Sequence, residues 1–286
     1  MLKPNIILDR STTASMFKLV FNFRLTRVCA RIVWTVISKF FILQQKAVMN
    51  PKKYKVTNVD HPLDSFIPFD SSYADIYMDF SPFWIRCQVF LLEKFGKNAV
   101  AHIKEFIFSL IELYNKAAEI YVCNFSTTTR PSSKDCMTVR FIHKVDPHLM
   151  CIPSLHIIVV TWTYIKMNAI LKDLNCCREY DEDIAYLKTH ALKIADSVLY
   201  MKQHSINCIP AALYLLTCFD PVLVQKEEAL DFIDKMLNDS TDINPEKITA
   251  IRAYMKNLYI TFLNQNEVSD DWKIPLLDFL RDYKSC

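Results

Sequence analysis

Residues 154 to 171 read Ser-Leu-His-Ile-Ile-Val-Val-Thr-Trp-Thr-Tyr-Ile-Lys-Met-Asn-Ala-Ile-Leu, a long apolar run with one charged residue, Lys166. Few stretches of the chain alternate between apolar and polar residues as strands do, and glycine is almost absent. Four further segments carry only a few polar groups, at residues 32–43, 74–95, 99–122 and 206–224. These runs predict an all-α fold, a bundle of apolar helices.

The composition limits the classes of function. The chain has 286 residues, of which 51% are hydrophobic, so it is long enough for one large domain and too apolar for wholesale disorder. Its 34 basic and 31 acidic residues are interspersed and give a formal net charge of +3. This balance lacks the one-sided field of a nucleic-acid binder, and no nucleic-acid partner is expected. Gly96 is the only glycine, so any phosphate must be held by side chains rather than by a glycine-rich loop.

No metal site is expected from the spacing of ligand-type residues. The ten cysteines contain no C-x2-C pair and are interpreted as reduced, small apolar residues. Five histidines show no metal-ligand spacing with carboxylates and are interpreted as structural or surface residues: His61, His102, His143, His148 and His190.

Proline and short polar residues divide the chain. They predict breaks at residues 50–69, 126–153, 172–183 and 238–244. Three regions follow: a basic N-terminal region at 1–55, a helical core at 56–224 and a C-terminal helical extension at 225–286. In the extension, amphipathic helices are predicted at 226–237, 246–263 and 272–283, with Asn244 as an N-cap and Pro245 at the first helical position of the second.

The apolar segments raise the question of a membrane. No stretch of about 18 residues is free of both charge and proline, yet five apolar helices are more than a small soluble domain hides comfortably. The first 55 residues carry many bases and a single acid, Asp9, which suits a cytoplasmic flank around a candidate first membrane helix. We therefore expect an integral membrane protein with a cytoplasmic N-terminus, in which Lys104, Glu105 and Glu112 face the bundle interior. The alternative is a soluble helical bundle.

Two segments contain residues suited to phosphate chemistry. Pro153-Ser154-Leu155-His156 lies at the start of an apolar helical stretch, where Ser154 can cap and the first-turn amides favour an anion. The second segment, residues 197 to 204, reads Ser-Val-Leu-Tyr-Met-Lys-Gln-His and ends in a second histidine, His204.

Together these segments resemble the second and third signature motifs of the type-2 phosphatidic acid phosphatase superfamily. The most similar variant is that of the inositol phosphorylceramide synthase-like branch, P-S-L-H followed by S-T-x-x-T-K-Q-H-x-x-x-D. Residues 125 to 131, Phe-Ser-Thr-Thr-Thr-Arg-Pro, resemble the end of the first motif, although Cys123 stands where that motif has a lysine. The resemblance covers roughly residues 60 to 220.

The resemblance implies a membrane-embedded helical bundle that acts on a phosphorylated lipid without metal or cofactor. His204 would be the nucleophile that forms a phosphohistidine, and His156 the general acid. Arg130 and Lys202 would bind phosphate oxygens, and Ser154 would donate a further hydrogen bond. This chemistry is physically reasonable, since a neutral imidazole can attack phosphorus while cations stabilise charge on the equatorial oxygens.

One departure from the pattern bears on catalysis. The family has an aspartate four residues after the nucleophile, which fixes the tautomer of the ring, and this chain has Cys208 there. Asn207 would lie about 100° away from position 208 around a helix, so it cannot simply replace the aspartate. Asp196 and Asp220 are the candidate replacements from elsewhere in the chain. A catalytically impaired relative that binds a phosphorylated lipid or a protein partner is therefore the alternative function. A soluble helical interaction protein with accidental motif matches is the third hypothesis.

Overall fold

The computed structural model describes residues 6–131 and 136–284. Residues 132–135, which belong to the predicted break at 126–153, lie outside the described residues, as do 1–5 and 285–286. The structure is 71% helix and 3% strand, which confirms the all-α prediction.

The elements are numbered here in chain order. The N-terminal half contains α1 (Thr12–Val20), α2 (Thr26–Val36), a π-helical segment (Ile37–Ile42), α3 (Leu43–Met49), β1 (Val56–Asn58), α4 (Ala74–Met78), α5 (Phe80–Phe95), α6 (Val100–Cys123) and β2 (Phe125–Thr127). The C-terminal half contains α7 (Met137–Val145), α8 (Leu155–Asp173), α9 (Asp181–Tyr200), α10 (Cys208–Phe219), α11 (Lys226–Lys235), α12 (Pro245–Glu267) and α13 (Ile274–Asp282).

Helix α8, formed by the apolar run that follows Ser154, lies at the centre of the core. It is apolar on every side, and 13 of its 19 residues are buried. A helix without a polar face is stable only when neighbours cover it on all sides. Here α5, α6, α9 and α10 supply that cover. The other four apolar segments coincide with α2 to α3, α4 to α5, α6 and α10.

Two of the three α6 charges that were expected to face the bundle interior do not, and the third, Lys104, is half-buried. Glu105 and Glu112 are exposed, and the Glu105 carboxylate pairs with Lys166 of α8 at 2.5 Å. Carboxylates keep most of their hydration at such positions, so they need no buried partner. Among the helices of the described residues, none is both long enough and apolar enough to cross a membrane.

A short parallel pairing of β1 with β2 was not predicted. Val56, Thr57 and Asn58 pair with Phe125, Ser126 and Thr127. Strands of three residues are too short for a period-two pattern to be seen in the sequence. The pairing joins the loop that follows β1 to the loop that carries Arg130, and so builds one wall of the site.

The second histidine segment is less helical than the sequence suggested. Helix α9 ends at Tyr200, and residues 201–207 form turns before α10 begins. Lys202 adopts a left-handed backbone conformation with φ of 52°, which a helix cannot accommodate. The helix assumed to join His204 to position 208 is therefore absent, and Asn207 immediately precedes the first residue of α10, Cys208.

The C-terminal helices pack directly on the core. The Asn207 amide donates to the Val59 carbonyl and to the Tyr283 hydroxyl, both at 3.0 Å, and its Oδ1 accepts from Tyr254 at 2.7 Å. The predicted cap of α12 is confirmed, because Asn244 Oδ1 accepts from the Glu246 amide at 2.8 Å and proline follows it. The site thus has α12 and α13 behind one of its walls.

Candidate functional site

Ser154 and His156 are positioned by the first turn of α8. Ser154 is fully buried and is the N-cap of α8, since its Oγ accepts from the Ile157 amide at 3.5 Å. The Pro153 carbonyl just before it accepts a hydrogen bond from the Tyr121 hydroxyl at 2.5 Å. The predicted cap is confirmed, and the approach of the chain to α8 is fixed by Tyr121 of α6.

We expect Ser154→Ala to destabilise the fold by about 1 kcal/mol, because the cap is lost and no side chain replaces it. Urea unfolding followed by circular dichroism measures this loss. Asn244→Ala, which removes the cap of α12, is the matched control and should cost a similar amount. Only Ser154→Ala should also change the chemistry of the site. Equal catalytic effects of the two variants would contradict a role for the Ser154 hydroxyl beyond capping.

The two predicted catalytic histidines come together. His204 Nε2 lies 3.2 Å from Ser154 Oγ, and the His204 and His156 ring centroids are 5.5 Å apart. The His156 ring stacks against the Tyr77 ring, with 4.5 Å between their centroids, and its centroid lies 4.2 Å from that of the Phe80 ring. Both aromatic contacts hold the imidazole of His156 in one orientation beside His204.

Arg130 follows β2 and is held by Asp146. Its Nη2 donates to Asp146 Oδ2 and its Nη1 to the Asp146 carbonyl, both at 2.9 Å. Its positive charge lowers the pKa of both His204 and His156.

Lys202 lies in the cleft beside His204, but its ammonium group is already bonded. Its Nζ donates to the Asp64 carbonyl at 2.6 Å and to the Ile67 carbonyl. A lysine has three N–H donors, so one is left for a ligand in the cleft. The structure thus gives Lys202 a clear role in holding the turn at residues 201–207 against the loop after β1.

Sequence reasoning missed a group of residues just before α8. His148 is buried, its Nε2 lies 2.6 Å from Thr128 Oγ1, and Cys151 Sγ lies 3.6 Å from the same nitrogen. His143 Nε2 lies 3.3 Å from the Gln203 side-chain nitrogen. The available signal was the run at residues 143 to 148, His-Lys-Val-Asp-Pro-His, which puts two histidines and an aspartate next to the predicted motif.

Burial keeps the central histidines neutral. It lowers the pKa of His204 to about 4, with Arg130 adding to the effect and Asp146 and the Cys151 backbone opposing it. Burial also lowers the pKa of His156 well below 6.5, reinforced by His204 and Arg130. Burial likewise lowers the pKa of His148 well below 6.5. At neutral pH the site therefore holds neutral imidazoles beside one guanidinium.

Three buried nitrogen atoms of this group have no hydrogen-bond partner among the described residues: Arg130 Nε, His156 Nε2 and His204 Nδ1. Most buried polar atoms in folded proteins are hydrogen-bonded, and each exception needs an explanation. An anion is the ligand that a guanidinium and imidazole N–H groups bind most strongly. Arg130 Nε and His156 Nε2 are thus open to an anionic ligand, whereas His204 Nδ1, the ring nitrogen opposite the one beside Ser154, is open to a hydrogen-bond acceptor.

His204 and His156 stand between two cavities of different character. His204 and Lys202 line a cleft of about 440 Å³ whose walls mix polar side chains, Asp60, His61, Asp64, Ser65, Thr128 and Thr129, with Pro62, Phe69 and Pro131. His156 lines a cavity of about 280 Å³ with apolar walls, formed by Ile32, Val36, Phe40, Phe41, Phe80, Trp84, Leu110, Tyr114 and Leu155. A cleft that carries charged and polar side chains and an apolar cavity therefore meet at the histidine pair.

No family model, no protein of described function and no solved structure matches this chain. Across the described ranges, no three His, Cys, Asp or Glu side chains are grouped so as to hold a metal ion.

The two carboxylates suggested as replacements for the missing aspartate are engaged elsewhere. Asp196 Oδ1 accepts from the Leu237 amide at 2.9 Å, and Asp220 Oδ1 accepts from the Leu223 amide at 3.0 Å. Neither is bonded to His204. The carboxylate that acts on His204 is instead Asp146, whose charge raises its pKa.

Proposed function

We propose that this chain cleaves or transfers a phosphate-bearing group of a lipid through a phosphohistidine on His204. The observation that carries the proposal is a neutral, buried His204 accompanied by two buried nitrogen atoms without a partner among the described residues, Arg130 Nε and His156 Nε2. A neutral imidazole has the lone pair that a nucleophile needs, and the guanidinium offers donors for the phosphate oxygens. The motif resemblance to the type-2 phosphatidic acid phosphatase superfamily supports the same roles.

In the first step His204 Nε2 forms a bond to phosphorus while the bond from phosphorus to the leaving oxygen breaks. His156 donates a proton to that oxygen. His156 is neutral in the free site, and the negative charge of a bound phosphate raises its pKa so that it takes up the proton it later donates. Arg130 and Ser154 donate hydrogen bonds to the phosphate oxygens as their charge changes.

In the second step water or an acceptor alcohol attacks phosphorus. His156, neutral after the first step, accepts the proton from the attacking oxygen, and the bond from phosphorus to His204 breaks. Hydrolysis releases phosphate, and transfer to an alcohol gives a new phosphoester. The two outcomes share every residue of the site.

A lipid is the proposed substrate because the site has an apolar cavity beside a cleft that carries charged and polar side chains. The phosphate and its headgroup would occupy the cleft at His204 and Lys202, and a hydrocarbon chain would enter the cavity lined by Phe40, Phe80 and Trp84. Burying hydrocarbon there removes it from water at a gain of about 0.8 kcal/mol per CH₂ group. A small, fully polar phosphoester would leave that cavity unused.

The proposal is tested by trapping the phosphoenzyme. Phosphatidic acid labelled in its phosphate is mixed with the full chain and the reaction is stopped in alkaline detergent, which preserves phosphohistidine. We expect label on the wild type, slower labelling of His156→Gln, in which the glycerol oxygen leaves without a proton, and no label on His204→Gln. His102→Gln is the control and should label like the wild type. Absence of label, together with no release from any lipid phosphate beyond that of His204→Gln, would rule out the proposal.

One observation favours a second candidate, a catalytically impaired phosphate-binding protein. In the part of the chain that the structure describes, no carboxylate bonds His204 Nδ1. Loss of an orienting aspartate costs about 10⁴-fold in serine proteases. Cys208, at the first residue of α10, is the position to restore. If Cys208→Asp gains strong turnover while the wild type only binds lipid phosphate, this second candidate is correct.

Asp146→Asn is expected to lower kcat/KM by about 10²-fold, because Arg130 loses its anchor and transition-state hydrogen bonds are lost. It should also move the acidic limb of the pH–rate profile to lower pH, since Asp146 no longer raises the pKa of His204. Glu93→Gln, which breaks another carboxylate–arginine pair, with Arg10, is the matched control and should leave the profile unchanged. A fall in kcat/KM of about 10²-fold without a shift of the acidic limb of the pH–rate profile would mean that Asp146 acts only on stability.

A further inference from the structure

Large apolar side chains are exposed along the N-terminal segment at residues 16 to 42. Of the described hydrophobic residues with large exposed side chains, ten lie there: Met16, Phe17, Val20, Phe21, Phe23, Val33, Trp34, Ile37, Phe41 and Ile42. Trp34 is 64% exposed and Phe23 is 81% exposed. Helices α1 and α2 are in contact, and so many exposed apolar side chains on neighbouring helices mark a surface for a partner or a membrane.

The exposed apolar residues of helix α2 do not take part in its packing against the rest of the fold. Its buried face, with Val28 and Ile32, packs on α6. Val33, Trp34 and Ile37 recur at helical spacing on the opposite side and contribute nothing to that core. The helix is thus apolar on two faces, of which the fold uses one.

Positive charge accompanies the exposed apolar residues. Lys18, Arg24, Arg27, Arg31 and Lys39 lie in the segment, and it has no acidic residue. Lys18 pairs with Glu93, whereas the other four have no carboxylate partner among the described residues. Arg24 and Arg31 lie over the rings of Phe23 and Phe108, each about 5 Å from the centroid. Bases interleaved with aromatic side chains are typical of protein surfaces that bind anionic lipid.

A groove beside the apolar residues carries more positive charge. It has a volume of about 250 Å³ and is lined by Ser38, Lys39 and Lys46 on one side and by residues of α6 on the other. Glu119 of α6 also lines it, and its carboxylate pairs with Lys273 at 3.2 Å. Two lysines and a serine suit the phosphate of a lipid headgroup.

We infer that the outer face of residues 16 to 42 docks on an anionic lipid bilayer, with its aromatic side chains in the interface and its bases on the headgroups. A second copy of the chain would bring two faces of the same positive charge together, which disfavours it as the occupant. The face is also continuous with the site, since Phe41 is both exposed on it and part of the wall of the apolar cavity. Docking would therefore bring lipid chains to His156, a consequence that rests on the proposed function, whereas docking itself does not.

Vesicle flotation with the full chain tests the inference. We expect binding to phosphatidylcholine vesicles with about one third phosphatidylserine, and weaker binding to phosphatidylcholine alone. Arg27→Gln combined with Lys39→Gln should weaken binding to the anionic vesicles by about 25-fold. Phe17→Ser combined with Trp34→Ser should weaken it by about 100-fold. Val222→Ser combined with Val268→Ser removes apolar side chains elsewhere that are more exposed than Phe17 and Trp34, and should not change binding.

Fluorescence quenching locates the contact. Phospholipids with brominated acyl chains should quench the tryptophan emission of the wild type, and Trp34→Phe should bind as well while losing most of the quenching. Circular dichroism verifies that each variant is folded. His204→Gln should dock like the wild type, so a failure of the proposed chemistry is distinguishable from a failure of docking.

Several results would overturn the inference. Equal flotation of the wild type and both N-terminal double variants would show that another surface binds. So would undiminished quenching in Trp34→Phe. A lipid-free dimer that Phe17→Ser and Trp34→Ser dissolve, without vesicle binding by the wild type, would assign the face to a second copy. Failure of the wild type to bind either vesicle would equally refute the assignment.

Discussion

Replacing His204 by asparagine is expected to lower the rate of phosphate release from a short-chain phosphatidic acid by at least about 10⁴-fold. Asparagine keeps a polar group near Ser154 Oγ, 3.2 Å from the lost Nε2, but it has no lone pair able to form the phosphoenzyme. Removal of a nucleophile eliminates the covalent route and leaves only the electrostatic effect of the site. Steady-state assays with purified full-length protein measure the loss.

His156→Asn separates the two histidines. If His156 is the general acid, its loss should slow release of a poor leaving group such as a glycerol oxygen far more than release of p-nitrophenol, which leaves without a proton. His204→Asn should slow both equally. His102→Asn, outside the histidine group, is the control for handling and folding. Residual activity in His204→Asn near that of the wild type would contradict the proposed nucleophile.

The stability of the fold is expected to fall steeply as the pH drops from about 6.5 toward 4. The folded-state pKa values of His148, His156 and His204 are lowered by burial, that of His204 to about 4. Because the unfolded chain binds protons near pH 6.5 and the folded chain does not, their stabilisation is complete above pH 6.5 and is lost on acidification. His204 alone accounts for about 3 kcal/mol of this change, and three such histidines give a slope of up to about 4 kcal/mol per pH unit.

Urea unfolding at pH 7.5 and at pH 5.0 measures the effect. His204→Gln should reduce the difference in unfolding free energy between the two pH values by about 2 kcal/mol. Burial raises the pKa of Asp64, and that of Asp196 to about 7, and these carboxyls act in the opposite direction because the folded chain protonates first. The histidines outnumber them, so a net loss is expected. Stability that is constant or rises between pH 6.5 and 5 would contradict the buried neutral state of the cluster.

Local signals in the sequence predicted much of what the structure has. The apolar run from Ser154 predicted a helix, and its serine cap and the Asn244–Pro245 pair mark helix starts through contacts that span a few residues. Helix α7 falls in a segment predicted as a break, because the polar residues that surround it conceal its short apolar face, Val139 and Ile142. The β1–β2 pairing joins residues far apart in the chain, and no local pattern could reveal it.

For the site, the sequence alone suggested, through residue type and order, the residues proposed to carry the chemistry: His156, His204, Arg130, Ser154 and Lys202. Only the tertiary structure decided how they are used. Packing between α8, the turn after α9 and the loop after β2 places His204 beside Ser154. Arg130 pairs with Asp146, and the Lys202 ammonium group donates to the carbonyls of Asp64 and Ile67. It also added His148 and set an apolar cavity beside His156. The reason is physical: residue type sets what a group can do, whereas its pKa and partners depend on burial and on neighbours that are distant in the chain.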